Sequence, residues 1–207
     1  NDNSLQTAYY MEQTFVERLQ NYEDPRLFMM ADKKPNASNL NVEDFSAYGG
    51  LYGSAPLSDN GSKAVSGEAS RIKPRYYNNP VNEPSILMSY AELQFTLAEA
   101  AARGWISEPS EPYYKSGIAA SLAFYGISQA EDYLNNPTIQ LNSNEDLESI
   151  LTQKHIALFL NTGWQSFYDQ RRTGFPEFNV DGGGILNNGL IPKRFMYPQN
   201  ESINNPE

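Results

Sequence analysis

The sequence predicts a mainly α-helical protein in which irregular segments separate the helices. Three observations favour this fold class. Apolar residues recur with helical spacing in four stretches, Gly or a Pro-containing turn follows several of them, and residues 31–82 show no period of either kind. The 207 residues suffice for one domain with a hydrophobic core or for two small ones.

The first helix is expected over residues 5–22. Its apolar residues fit one helical face only loosely, and they are Leu5, Ala8, Tyr9, Phe15 and Leu19. Asp24-Pro25 ends this helix, because the residue before a proline disfavours the helical conformation.

Residues 31–82 are expected to form a loop-rich segment. Gly, Asn, Ser and Pro are frequent there, and tyrosines are scattered among them. A stretch of this length without clear elements is uncommon in a compact domain, and it is either functional or disordered. Its aromatic residues argue against disorder.

Two consecutive helices, at 84–103 and 111–125, predict a helical hairpin over residues 84–126. The first helix has a wide apolar face and is therefore expected to pack against two neighbours. Its polar stripe consists of Glu92, Thr96, Glu99 and Arg103. The second helix has an apolar stripe of Tyr114, Ile118, Leu122 and Tyr125, with small residues such as Gly117 that permit close approach of a partner helix. The hairpin is similar to a tetratricopeptide unit.

Residues 143–207 are expected to contain two further helices and an irregular tail. Ser143-Asn144-Glu145-Asp146 has the form of a capping box and opens a helix over 144–160. A shorter helix runs from Trp164 to Arg171, and Gly174-Phe175-Pro176 ends it. The remaining residues, rich in Gly, Asn and Pro, indicate irregular structure.

Composition and charge argue against several classes of function. The formal net charge of −10 disfavours general binding to nucleic-acid phosphates and to anionic lipid head groups. Because the chain contains no cysteine, it has no disulfide, no Cys-ligated zinc and no thiol nucleophile. No apolar run approaches the ~20 residues that a membrane-spanning helix requires.

No catalytic or metal-binding motif is recognised, so we predict no catalytic residue, no metal and no cofactor. His155 is the only histidine, and a single histidine within a helix is expected to be structural. Paired carboxylates occur at Glu43-Asp44, Glu131-Asp132 and Glu145-Asp146. Neighbours in sequence do not imply the carboxylate separation that glycoside hydrolysis needs. Arg171-Arg172 is expected to pair with carboxylates such as Asp169 or Glu177.

Four segments, in their order along the chain, resemble the SusD/RagB family. The first is Asp24-Pro25-Arg26-Leu27. The second comprises Pro84-Ser85-Ile86-Leu87-Met88-Ser89-Tyr90-Ala91-Glu92, Ala98-Glu99-Ala100, Arg103-Gly104-Trp105, Tyr114, Gly117-Ile118 and Ser121. The third comprises Gln153-Lys154, Ala157-Leu158, Gly163-Trp164 and Asp169-Gln170-Arg171-Arg172-Thr173-Gly174. The fourth comprises Ile191-Pro192-Lys193-Arg194, Tyr197-Pro198, Glu201 and Asn204-Asn205. The resemblance rests on the order, the spacing and the number of these four segments taken together.

The resemblance implies a helical protein built on tetratricopeptide-like hairpins, of which residues 1–207 form the C-terminal part. Members of the family are bacterial surface lipoproteins that capture oligo- or polysaccharide nutrients. They deliver them to a SusC-like TonB-dependent transporter in the outer membrane. The resemblance therefore implies the extracellular face of a Gram-negative outer membrane, with membrane contact only through a lipid anchor on an N-terminal part absent from this sequence.

The candidate glycan-binding residues lie in residues 31–82, the segment that contributes part of the glycan platform in the family. Tyr48 and Tyr52 flank glycines in Tyr48-Gly49-Gly50-Leu51-Tyr52-Gly53, where their rings could face the apolar side of a sugar. The rest of the predicted set is Asn60, Tyr76 and Tyr77. The alternative is a structural loop whose tyrosines are packed.

Two other functions remain open at this stage: a glycan-processing hydrolase, and a scaffold for the transporter without its own ligand site. The absence of a recognisable nucleophile, metal site or acid/base pair argues against the hydrolase. Burial of Tyr48 together with Tyr52 would favour the scaffold.

Overall fold

A computed structural model describes residues 4–79, 81, 83–128, 130–143, 146–161, 163–184, 189–192 and 200. The α-helices within these residues are α1 (Ser4–Thr7), α2 (Gln13–Asn21), α3 (Leu27–Met30), α4 (Leu57–Val65), α5 (Tyr90–Ala102), α6 (Ser110–Phe124), α7 (Ala130–Leu134), α8 (Leu147–Ala157) and α9 (Gln165–Thr173). Short 3-10 helices lie at Pro35–Ala37, Phe45–Ala47, Pro74–Tyr76 and Pro137–Ile139. The described residues contain isolated β-bridges but no longer strand, so the mainly α-helical prediction is confirmed.

The helix predicted over residues 5–22 is wrong in one respect, because it is interrupted between α1 and α2. The backbone there is paired with distant segments instead. The Met11 N–H donates to the Ser70 carbonyl at 2.9 Å, and the Met11 carbonyl accepts from the Leu51 N–H at 3.0 Å. Glu12 then begins α2 by accepting a hydrogen bond from a backbone N–H of its first turn at 2.8 Å.

The segment 31–82 is mainly irregular but contains α4, which the sequence analysis did not identify. No residue of α4 is buried, so the helix lacks the apolar stripe on which a prediction from periodicity depends. Three isolated bridges tie the segment together and to the region before α2. They are Tyr10 with Arg71, Glu12 with Leu51, and Ala31 with Ile72.

Helices α5 and α6 form the predicted hairpin, and α8 packs against both, so α5 has the two neighbours expected of its wide apolar face. Helix α5 begins later than predicted, at Tyr90, because Ser89 caps it by accepting from the Glu92 N–H at 3.0 Å. Leu87 therefore lies outside the helix and is 98% exposed. Glu99, a member of the predicted polar stripe, is buried.

Helix α8 begins at Leu147 with Asp146 as its N-cap, whose carboxylate accepts from the Ser149 N–H at 3.0 Å. Residues 144 and 145 of the predicted capping box lie outside the described residues. Burial alone would raise the pKa of Asp146, but hydrogen bonds from Ser149 and Asn142 hold it below its ordinary value. Helix α9 ends at Thr173, and Gly174 follows it in a left-handed conformation with φ 87°. The sequence predicted this end from the glycine at position 174.

The buried residues form two hydrophobic clusters. One surrounds α2 and α3 and contains Met11, Phe15, Val16, Leu19, Leu27, Met30, Ala31, Ala37, Ala47, Tyr48, Ile72, Tyr125 and Ile156. The other lies between α5, α6 and α8, with contributions from α7 and the 3-10 helix at Pro137–Ile139. It contains Ala91, Phe95, Ala98, Ala102, Tyr114, Ile118, Leu122, Tyr133, Ile139, Ile150 and Ala157. None of the helices in the described ranges combines the length and the apolar character needed to cross a bilayer.

Candidate functional site

The Asp-Pro-Arg-Leu segment forms a buried ion pair where three helices meet. Arg26 donates to Asp24 at 2.6 Å, and both side chains are fully buried. The Arg26 guanidinium also donates to Ser121 Oγ on α6 at 2.9 Å and to Gln153 Oε1 on α8 at 2.6 Å. The Tyr133 hydroxyl on α7 donates to Asp24 Oδ2 at 2.7 Å. Burial alone would lower the pKa of Arg26, but the Asp24 carboxylate raises it above its ordinary value. This motif is structural.

A second ionic network joins α5, α8 and α9. The Glu99 carboxylate accepts hydrogen bonds from Arg103 at 2.8 Å and from Arg172 at 2.8 Å. Asp169 accepts from Arg172 at 2.9 Å and pairs with Lys154 Nζ at 3.0 Å. Burial alone would raise the pKa values of Glu99 and Asp169, but the cations hold both below their ordinary values. The predicted pairing of Arg172 with Asp169 is confirmed, and it too is structural.

Tyr48 is a core residue, which corrects its prediction as a ring that faces a ligand. Its exposure is only 2%. The ring lies 5.6 Å from that of Phe28, and its hydroxyl donates to the Val42 carbonyl at 2.8 Å. Burial raises the pKa of Tyr48 to about 12. The described structure therefore leaves Tyr48 no exposed ring face for a sugar.

The glycines after Tyr48 bring chain segments together. A Cβ at Gly49 would lie 2.5 Å from the Glu68 carbonyl oxygen, and one at Gly50 would lie 2.6 Å from the Gln13 nitrogen. Both glycines thus serve close backbone contacts within the protein. A Cβ at Gly53, by contrast, would meet nothing closer than 4.0 Å.

Tyr52 and Asn60 lie together at the surface. The Tyr52 hydroxyl donates to Glu17 Oε1 at 2.9 Å, and Lys63 Nζ lies 5.2 Å from the ring centroid. Asn60 Nδ2 donates to the Tyr52 carbonyl at 2.9 Å. The hydrogen bond to Glu17 raises the pKa of Tyr52. Tyr52 is half-buried, so the two tyrosines of this stretch are not buried together.

Tyr76 contacts other aromatic residues rather than Tyr52 or Asn60. The Tyr76 ring lies 5.7 Å from that of Phe159 in an edge-on contact, and its hydroxyl is 3.1 Å from that of Tyr125. Burial raises the pKa of Tyr76 and of Tyr77. Of the five predicted residues, only Tyr52 and Asn60 have a contact with each other among the hydrogen bonds described.

A cavity of about 420 Å³ has Gly53 in its wall, but Tyr52 is not among the residues that line it. Its size falls within the range of roughly 300–1,000 Å³ typical of small-molecule sites. Aromatic rings and polar groups share the lining, which comprises Tyr9, Tyr10, Met11, Glu12, Thr14, Phe15, Arg18, Gly53, Ile72, His155, Phe159, Leu160, Glu177, Phe178 and Asn179. Arg18 closes one side by donating to the Glu177 carbonyl at 3.0 Å. This cavity is the candidate functional site.

A wider groove of about 760 Å³ lies on another part of the surface. Phe28 and Phe45 contribute apolar surface to it, and Glu23, Glu43 and Asp132 contribute carboxylates. Across the described ranges, no group of three His, Cys, Asp or Glu side chains is arranged to hold a metal ion.

A family model of the SusD-like type, described as "Starch-binding associating with outer membrane", matches residues 1–198. The chain belongs to the SusD-like family. The resemblance seen in the sequence motifs is confirmed. No curated protein matches the chain.

Solved structures of SusD homologues share the fold of this SusD-like chain. One from Bacteroides fragilis is 38% identical, with a TM-score of 0.82, and the match covers 95% of this chain and 46% of that one. Another from the same organism is 31% identical, with a TM-score of 0.84 and coverage of 95% and 47%. A chitin-binding protein is 29% identical, with a TM-score of 0.71 and coverage of 95% and 44%. This chain thus spans about half the length of these structures.

None of the five residues predicted as ligand contacts lines the cavity of this SusD-like chain. The sequence predicts Tyr9 on a helical face, a structural role for His155 and irregular structure around Phe178. Only Gly53 belongs to the predicted stretch. The lining comes from segments far apart in sequence, so no local pattern could have brought these residues together.

Proposed function

We propose that this SusD-like protein binds a nutrient oligo- or polysaccharide and delivers it to a TonB-dependent transporter on the extracellular face of the outer membrane. One observation carries the proposal: a cavity lined in part by aromatic rings is present in a chain whose family is described as starch-binding and associated with the outer membrane. The chitin-binding relative supports a second candidate among the glycans, a polymer of N-acetylglucosamine.

The chemistry of the cavity suits a sugar. Rings such as those of Tyr9 and Phe178 offer flat apolar faces to the C–H side of a pyranose, while Glu177 and Asn179 offer polar groups to its hydroxyls. Because hydrogen bonds to sugar hydroxyls replace those with water, each contributes only about 0.5–1.5 kcal/mol. We therefore expect weak, reversible binding, as suits a protein that passes its ligand on.

The test is calorimetric titration of the intact protein with maltohexaose, chitohexaose and cellohexaose. We expect saturable binding of maltohexaose or chitohexaose. Cellohexaose, which has the same number of sugar rings, is the control for specificity. No binding of any oligosaccharide, together with co-purification of the transporter, would favour the scaffold alternative.

The hydrolase alternative is tested on the same samples. We expect no release of reducing sugar during prolonged incubation with starch or chitin. Release that scales with protein concentration and survives repurification would replace the binding function with an enzymatic one.

A further inference from the structure

A turn at residues 52–55 holds the segment 179–184, which begins in the wall of the candidate cavity. A hydrogen bond of 3.0 Å between the first carbonyl and the last N–H of the turn closes it. Ser54 lies within the turn and is 2% exposed. Its carbonyl accepts from the Gly184 N–H at 2.7 Å, and its Oγ accepts from the Gly182 N–H at 3.1 Å. Ser54 therefore binds the segment at two points, although it does not line the cavity itself.

The glycines of this segment permit the contact. A Cβ at Gly182 would lie 2.5 Å from the Ala55 nitrogen, and one at Gly184 would lie 2.6 Å from the Ala55 carbonyl carbon. Any larger residue would push the segment away from the turn. The glycine-rich run, which the sequence indicates only as irregular structure, is thus the place where the segment docks on the turn.

The Ser54 hydroxyl fixes the orientation of the Asn179 side chain. Ser54 Oγ donates to Asn179 Oδ1 at 2.7 Å. The Asp181 N–H donates to the same Oδ1 at 3.1 Å. Because a backbone N–H can only donate, the atom that it meets must be the amide oxygen and not the nitrogen. Both hydrogen bonds hold the oxygen of this amide against the protein.

The amide nitrogen of Asn179 is left for a ligand. Asn179 is exposed, and its Nδ2 has no hydrogen-bond partner among the described residues. The residue lines the 420 Å³ cavity and also a second cavity of about 570 Å³, as do Glu177 and Phe178. With its oxygen occupied twice, this amide can donate to an oxygen of a sugar but has no acceptor left for a sugar hydroxyl.

We propose that Ser54 is a positioning residue for glycan binding, which fixes the Asn179 amide so that Nδ2 donates to an oxygen of the bound sugar. This inference rests on the proposed function and deepens it. An amide that is held in one orientation before the ligand arrives loses less conformational freedom on binding. It also selects a sugar that presents an acceptor at this point.

The first test is Asn179→Asp in the intact protein, with maltohexaose and chitohexaose as probes. The carboxylate still accepts from Ser54 and Asp181 but replaces the donor with an acceptor. We expect affinity to fall about three- to tenfold, without a fall in Tm. Asn41→Asp is the matched control with the same change of charge. Asn41 Oδ1 accepts from the Glu43 N–H at 3.3 Å in an exposed turn, and Asn41 lines neither cavity.

The second test is a double-mutant cycle that separates positioning from stability. Ser54→Ala removes the hydroxyl that holds the Asn179 amide, and we expect affinity to fall about threefold. In the Ser54→Ala background, Asn179→Asp should weaken binding by a smaller factor than in the wild type, because the amide is no longer held in one orientation. Independent effects of the two substitutions, or a loss of affinity only where Tm has fallen, would make Ser54 merely structural and overturn the proposal.

A third measurement needs no Ser54 variant. The side-chain amide signal of Asn179, assigned in a nitrogen-15 NMR spectrum by its absence from Asn179→Asp, should shift when either hexasaccharide is added. If the wild-type protein binds a hexasaccharide but this signal stays in place, and Asn179→Asp binds equally well, the positioning inference fails and the proposed function stands. If the wild-type protein binds neither hexasaccharide, the proposed function itself fails.

Discussion

At the scale of single residues, two residues that are close in the sequence can have different roles in the structure. Tyr48 and Tyr52 belong to one Gly-rich stretch, yet Tyr48 packs in the first hydrophobic cluster while Tyr52 lies at the surface beside Lys63. The two glycines between them let the backbone pass close to the Glu68 carbonyl and to Gln13. The ligand-facing role predicted for both tyrosines is therefore retained as a proposal only for Tyr52.

Substitution of these tyrosines separates binding from stability. Tyr52→Ala is expected to weaken oligosaccharide affinity several-fold, up to about tenfold, since a sugar–aromatic contact is comparable to an aromatic pair of about 1 kcal/mol. Tyr48→Ala is expected to cost about 3–5 kcal/mol of unfolding free energy. Calorimetry and denaturant unfolding measure the two effects. Tyr168→Ala is the control, because the Tyr168 side chain is 45% exposed on α9. Full affinity in Tyr52→Ala would remove Tyr52 from the site.

The buried Arg26–Asp24 pair offers a second prediction at this scale. Arg26→Met leaves the Asp24 carboxylate buried without its cation, so we expect a loss of about 3–5 kcal/mol in unfolding free energy. Lys73→Met is the matched control, since the Lys73–Asp32 pair is 31% and 41% exposed and should contribute no more than about 1 kcal/mol. Similar losses in the two variants would contradict the central role given to Arg26.

At the scale of elements, small residues decide how closely helices approach. Gly117 on α6 lies under the Phe95 ring of α5, and a Cβ there would be 2.9 Å from Phe95 Cζ. The contact was expected from the small residues of α6, and Gly117 confirms it. Gly61 lies within α4, where a Cβ would meet no atom within 4 Å.

The same substitution at these two glycines is expected to have opposite effects. Gly117→Ala should destabilise the protein by about 1–3 kcal/mol, because Phe95 must shift within a packed cluster. Gly61→Ala should stabilise it by about 0.5–1 kcal/mol, because alanine loses less entropy in a helix. The urea concentration at the midpoint of unfolding measures both effects, provided that the unfolding free energy depends on urea concentration with the same slope in each variant. Stabilisation by Gly117→Ala would show that the α5–α6 contact is looser than described.

At the scale of the whole molecule, α8 links the two ionic networks. Gln153 accepts from Arg26, and the next residue, Lys154, pairs with Asp169. Neighbouring buried polar residues on one helix thus connect the region of α2 and α3 with α5 and α9. The family motifs around Arg26, Glu99, Gln153-Lys154 and Arg172 hold the fold together, and none of them lines the candidate cavity.

The pH dependence of stability should show two phases. His155 has a folded pKa of about 4, below the ordinary value of 6.5, so the unfolded state binds its proton first as pH falls. Stability is therefore complete above about pH 6.5 and declines toward pH 4. Glu99, Asp169 and Asp146 have lowered pKa values, so their contribution is lost at still lower pH, below the ordinary carboxyl range.

His155→Phe isolates the first phase. The variant should lose the decline between pH 6.5 and 4 and keep the loss at lower pH, as measured by Tm across buffers of equal ionic strength. Arg18 and Glu177 are charged groups at the same cavity, so Arg18→Met serves as a check on their influence. An unaltered decline in His155→Phe would assign the first phase to other groups.

The sequence by itself determined the fold class, the hairpin of α5 and α6, the end of α9 at Gly174, and family membership. These depend on local signals, namely helical spacing, breakers and motif order, which act within one or two turns of chain. Tertiary structure alone decided the interruption before α2, the burial of Tyr48 and Glu99, and the cavity around His155. These features result from tertiary contacts: backbone pairing of Met11 with Leu51 and Ser70, packing of Tyr48 against Phe28, and the Arg172 cation from α9 beside Glu99. Such contacts outweigh local preference because an unpaired polar group in the core costs more than a broken helical turn.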